Sequence, residues 1–229
     1  MGTVELNSNQ LITHSHIITY GNAADPSITE GIRDEIETMW NEPAAKINFH
    51  NQLLQVVFRI TATHSPTIQS IDIYQDVDPR NNYFRIEEFA HSHISFVDGI
   101  GCNSGYFKLD NLYKGSTTAA HEYGHTLGLE HPTDLDYRGK GIPGIMYPRG
   151  TIVDSPYQYN PAANPGDSSN GGTMHPQYRK VRQEDIELLK LSRLYFENGL
   201  AVIGEFTSVW HPDHRNIPPE DIFQTGIMG

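Results

Sequence analysis

Apolar residues recur along this chain with two different periods. The run LITHSHIITY at 11–20 is dense in Ile and Thr and closes on a Gly-Asn turn, which predicts a strand. The period then changes. Ile28, Ile32, Ile36, Met39 and Trp40 fall on one stripe of a helix, with Asp25 as N-cap, Pro26 as the first helical residue and Pro43 as the stop. Residues 53–63 (LLQVVFRITAT) read as a buried strand, 70–77 (SIDIYQDV) alternate like another, and 94–99 (ISFVDG) make a short one. Helical signals return at 116–129, where Ser116 is a candidate N-cap. They return again at 179–196, where Ile186, Leu189, Leu194 and Tyr195 supply much of the apolar side. Two stretches lack a period. Residues 150–177 hold Pro, Gly, Ser and Asn clusters, and 197–229 hold one apolar segment, LAVIGEF, before a Pro-rich tail. Strand, helix, strands, helix, loop, helix is an α+β or α/β order within a single domain.

Composition narrows the function classes. The 229 residues are 37 % hydrophobic, enough for one core, and no apolar run approaches the roughly 18 residues of a membrane helix. The formal net charge of −12 argues against a nucleic-acid backbone or an anionic membrane surface as partner. A single cysteine, Cys102, excludes an intrachain disulfide and a Cys-rich zinc site, leaving twelve histidines as the soft metal ligands. The opening MGTVELNSNQ has neither a basic n-region nor an apolar h-region, so it does not read as a secretory signal.

The chemistry concentrates in HEYGHTLGLEH at 121–131. On a helix, His121 and His125 stand at i and i+4, so both imidazoles project from one face and can share one Zn²⁺. Glu122 sits beside the first ligand, placed to reach a water on the metal without binding the metal itself. Gly128 permits the positive φ of a sharp turn that would return His131 to the same ion as third ligand. Three protein ligands leave one position open, the arrangement of a catalytic zinc. Requiring all five of these positions lowers chance occurrence to on the order of 10⁻⁵ for a chain of this length.

This pattern, HExxHxxGxxH, resembles the zinc signature of the metzincin metalloproteases. Gly144-Ile145-Met146-Tyr147-Pro148 resembles their Met-turn, and its Met-Tyr-Pro form is similar to that of the matrixin (matrix metalloprotease) branch. THSHIITYG with the helix ending at Trp40, and VRQEDIELLKLSRLY, resemble the matrixin first strand and helix and the C-terminal helix. The resemblance implies an α+β zincin-like single domain with a mixed twisted sheet, an active-site helix and a C-terminal helix. That domain would span 1–196, with 150–177 as a long insertion loop and 197–229 packing on it or forming a tail. It implies a zinc endopeptidase with one catalytic Zn²⁺ and Glu122 as general base. Met146 would be a hydrophobic floor under the metal, and Tyr147 and Pro148 would line the S1′ side. The peptide substrate would lie along the strand region from Ile94 to Tyr106. An extracellular or exported location follows by resemblance, a cytoplasmic one staying open, and a monomer is the default. Two departures stand out. Fourteen residues separate His131 from Met146, more than in matrixins, and the matrixin Pro-Arg-Cys-Gly prodomain switch is missing.

Weaker signals are set against plainer readings. His91-Ser92-His93 could join a second, structural zinc, or be solvated histidines. Asp76-Val77-Asp78 with Asn81 and Asn82 could bind Ca²⁺, or form a polar turn. Cys102 could latch the zinc, or be a small packed residue. His14 and His16 share one side of a strand and read as structural. Rival functions are an effector or toxin protease with a narrow substrate, and a metzincin-like binding module without turnover. The retained glutamate and three histidines speak against the second of these.

Overall fold

The computed structural model describes residues 1–89, 94–164 and 170–213. Its elements are β1 (Gly2–Leu6), β2 (Gln10–Tyr20), α1 (Pro26–Asn41), β3 (Lys46–Phe49), β4 (Gln52–His64), α2 (Ser70–Tyr74), β5 (Asn81–Glu87), β6 (Phe96–Val97), β7 (Ser104–Lys108), α3 (Thr118–Thr126), α4 (Gln183–Leu188) and β8 (Leu200–Ile203). The architecture is α+β. β2 is the spine of one mixed sheet and pairs parallel with β4 along one side. On its other side β1 pairs antiparallel with Leu11–His14, and β5 pairs parallel with His16–Tyr20. The sheet runs on from β5 to β7 in parallel, and β6 closes that edge antiparallel to β7. At the other end of β2, β8 pairs with β1, and β3 flanks β4.

The parallel β2–β4 pair needs a crossover, and α1 makes it. Its start is fixed by the Asp25 carboxylate, which accepts the Ile28 amide at 2.8 Å, with Pro26 in the first turn. Ile32, Ile36 and Trp40 are buried against Leu54, Val56, Phe58 and Ile60 of β4, and Ile28 and Met39 pack at the margin. Asn41 locks the far end, donating to Phe58 O and accepting from Phe58 N–H at 2.8 and 2.9 Å. Trp40 Nε1 donates to Ala120 O at 3.0 Å and so ties α1 to α3.

Several expectations change. Residues 70–77 form the single turn α2 instead of a strand. The Asp72 carboxylate accepts the Gln69 amide at 2.8 Å, and Ile73 alone is buried while Ile71 and Tyr74 face solvent, so the alternation carried no sheet face. The C-terminal helix shrinks to α4. Residues 179–182 are extended because Lys180 bridges to Gly144, and Lys190 at φ 52° ends the run before a 3₁₀ turn at 191–193. Tyr195, expected on its apolar side, is 84 % exposed. The 150–177 stretch folds on itself. Ile152 bridges to Thr173 and Gln158 to Met174, around a small cluster of Tyr137, Val153 and Met174.

Beyond β8 the chain runs over the sheet. Trp210 stacks on Tyr20 at 5.1 Å, and His211 Nε2 lies 2.8 Å from Asp98. No helix among the described residues is long and apolar enough to cross a membrane.

Candidate metal centre

α3 is buried at every position, and its start is held unusually. Thr117, the N-cap, sits at φ 62°, a left-handed conformation costly for a β-branched residue. It is held there from outside. Its hydroxyl donates to Pro176 O and accepts from Arg179 Nε, both at 2.9 Å. Ser116, the expected N-cap, stands one residue earlier and accepts the Thr118 amide at 3.2 Å. Glu35 of α1 accepts the Ala120 amide at 3.2 Å, placing a carboxylate at the positive end of the helix.

The other end turns sharply. Gly128 sits at φ 96°, and the Leu129 amide closes on Gly124 O at 3.0 Å. That reversal brings His131 back over the helix. Its Nε2 lies 3.0 Å from His121 Nε2 and 3.1 Å from His125 Nε2. His121 Nδ1 lies 2.7 Å from Ile145 O, and His125 Nδ1 lies 2.7 Å from Leu129 O. A carbonyl can only accept, so His125 Nδ1 carries the proton and its Nε2 presents a lone pair, while His121 Nδ1 lies between the Ile145 carbonyl and the Arg179 guanidinium, 2.8 Å away. Lone pairs this close repel unless a cation stands among them. The spacing suits one ion about 2.0–2.1 Å from each nitrogen, the distance of zinc to imidazole. Burial lowers the pKa of all three rings, His125 to about 4, and the Arg179 charge adds to this, so the rings are neutral at pH 7. Among the described residues this trio is the one group of His, Cys, Asp and Glu side chains arranged to hold a metal.

Glu122 is buried beside the trio, with the Val97 amide of edge strand β6 bonding to its carboxylate. Burial pushes its pKa up to about 8, against the opposing pull of Arg179, the Val97 amide and Arg149. Met146 lies beneath α3. A Cβ at Gly124 would stand 2.3 Å from Met146 Sδ, so the glycine allows the methionine its place. Tyr147 is half-buried, its ring 4.6 Å from Tyr137, and Pro148 O caps the following turn by accepting from Thr151.

Other candidates lie apart. Cys102 is buried, with Sγ 3.2 Å from Thr207 O, and is outside the trio. Calcium finds no support at the Asp76 turn. Asp76 accepts from Tyr83 Oη, Asn81 Nδ2 and the Asp78 amide, and Asp78 is paired with Arg80, so both carboxylates are engaged within the turn. Asn82 is buried and donates to Met1 O at 2.8 Å. His14 pairs with Glu5, and His16 bonds Thr61 Oγ1 at 2.7 Å. His91 and His93 lie outside the described residues.

The pattern of the sequence did not point to Arg179, which reads there as a helix residue. It is 4 % exposed, and its NH1 contacts Tyr147 O at 3.1 Å and His121 Nδ1 at 2.8 Å. One guanidinium thus touches the start of α3, a histidine of the trio and the segment after Met146. No local signal marks such a role, because the three segments meet only in the folded chain.

No family model matches this chain, and no curated protein matches it. Among solved structures it is similar to archaemetzincin from Methanopyrus kandleri, at 11 % identity and a TM-score of 0.39, over 78 % of this chain and 95 % of that one. It is also similar to myroilysin, at 11 % identity and a TM-score of 0.38, over 85 % and 100 % of the two chains. The reading of the site therefore rests on its own geometry.

Proposed function

We propose that this chain is a zinc-dependent endopeptidase of metzincin type. The observation that carries the reading is the convergence of three imidazole Nε2 atoms, with the tautomer of His125 set by a backbone carbonyl, beside a buried glutamate. His121, His125 and His131 would hold the zinc. When bound, the ion would supply Lewis acidity, making water nucleophilic near neutral pH and polarising a peptide carbonyl.

The remaining work falls to the chain. In its carboxylate form, which the charge of a bound zinc would favour over the buried acid, Glu122 would accept the proton of the attacking water and deliver it to the leaving amine. The backbone of β6, at the sheet edge beside Glu122, offers the hydrogen bonds for an extended peptide added as a further strand. Tyr147 and Pro148 line the primed side, and their Met-Tyr-Pro sequence supports a matrixin-like turn. Met146 acts through packing, as the floor on which α3 rests.

The test is zinc content and peptide cleavage on purified wild type and Glu122→Gln. The reading expects one zinc per chain in both and chelator-sensitive cleavage in wild type only. Absence of zinc from wild type, or equal cleavage by the variant, would overturn it.

A further inference from the structure

Two arginines stand beside this site without a carboxylate of their own. Arg33, Arg80, Arg85 and Arg138 each form an ion pair; among the described residues Arg149 and Arg179 form none, as is also true of Arg59, Arg182 and Arg193 elsewhere in the fold. The acids nearest to Arg179 in charge are already engaged: Glu35 at the N-terminus of α3, Glu122 as the proposed base. Arg149 is exposed, directly after Tyr147-Pro148, with NH2 donating to Asn111 Oδ1 at 3.1 Å. It reaches from the segment after Met146 to the turn that ends β7. Arg179 lies behind the same segment, on Tyr147 O. The two guanidinium charges act on one another and both act on Glu122. In a chain of net charge −12, two guanidinium groups without an ion pair thus stand together on the side of the site that the proposed function assigns to the leaving half of the substrate.

We infer that the site selects substrates bearing a carboxylate on the primed side of the scissile bond, with Arg149 contacting it and Arg179 supplying charge from behind the wall. The inference rests on the peptidase reading. A guanidinium binds a carboxylate through paired charge-assisted hydrogen bonds, and an uncharged isostere forfeits most of that. The carboxylate can come from an Asp or Glu side chain or from a free chain end.

The experiment uses three zinc-loaded proteins, wild type, Arg149→Gln and Glu122→Gln, and three peptides. Two peptides are C-terminally amidated and differ only in Glu or Gln after the cleaved bond. The third carries Gln there and ends shortly after in a free carboxylate. Wild type should cleave the Glu peptide, the free-end peptide or both with kcat/KM about 10-fold or more above the amidated Gln peptide. Whichever it favours identifies the source of the carboxylate. Arg149→Gln should bring the ratio close to one. Fluorescence anisotropy on Glu122→Gln, which cannot turn over, should show the same order of Kd. Equal rates for all three peptides would overturn the selectivity and leave the peptidase reading intact, as would a preference that survives Arg149→Gln. Selective binding without cleavage by wild type would overturn the peptidase reading and keep the carboxylate site.

Discussion

Gly124 is where two parts of the site touch with no space to spare. A methyl group there would meet Met146 Sδ at 2.3 Å and Trp40 Cζ2 at 3.2 Å. Alanine favours a helix over glycine by about 1 kcal/mol, but overpacking a core costs about 1–3 kcal/mol. Gly124→Ala should therefore lower the thermal midpoint, and Met146→Ala should cost less in that variant than in wild type, because the two residues touch. An unchanged midpoint in the single variant would mean that Met146 can move aside freely. Glu122→Gln keeps the shape of the side chain and removes its basicity. It should retain zinc, measured by metal analysis, while cleavage falls about 10²–10⁴-fold. His121, Glu122, His125, Gly128 and His131 were legible in the sequence because their geometry is local to one helix and one turn. Arg179 was not, because its partners Thr117, His121 and Tyr147 come from distant segments.

Elements were legible where their caps and faces were local. α1 shows its Asp25 cap, its Pro26 start and its apolar stripe in sixteen consecutive residues. β5 shows nothing of the kind. It is buried on both faces, and its Arg85 and Glu87 satisfy each other in an ion pair, so alternation never appears. α4 was overextended because apolar spacing ran on past a backbone reversal at Lys190. Its start carries a pH signature. The Asp185 carboxylate accepts the Arg182 amide at 2.8 Å and the Ile145 amide before Met146, yet burial raises its pKa from 3.8 to about 6. The folded state thus holds this proton more tightly than the unfolded chain does. The stabilisation is full below pH 4 and is lost as pH rises through 6, an effect of about 2–3 kcal/mol. Asp185→Asn removes the titration. The stability of wild type minus that of the variant should fall by about that amount between pH 4 and pH 7 in urea titrations. A constant difference would show that Asp185 is not perturbed in the fold.

At the scale of the molecule, the trio links α3 to the chain beyond Gly128, so a bound ion stabilises the fold by mass action. Chelation should lower the thermal midpoint reversibly and added zinc should restore it, the stabilisation being about 3–4 kcal/mol when free metal exceeds Kd by a hundredfold to a thousandfold. Stopping the chain after Gly199 should do more damage. It removes β8, leaves β1 with a bare edge and strips Trp210 from Tyr20. Loss of cooperative unfolding, followed by circular dichroism, is the expected result. The β1–β8 pairing also sets when this sheet gains its last strand. Synthesis delivers β1 and its first partner β2 early, but the strand on the other side of β1 comes from 200–203. Pairing across that much chain is slow and cannot begin before the late strand has left the ribosome. The three histidines are translated after β2, β4, β5 and β7 but before β8 can add the last strand to the sheet. The nascent chain therefore carries the three histidines of the metal-site trio before β8 has covered the outer edge of β1.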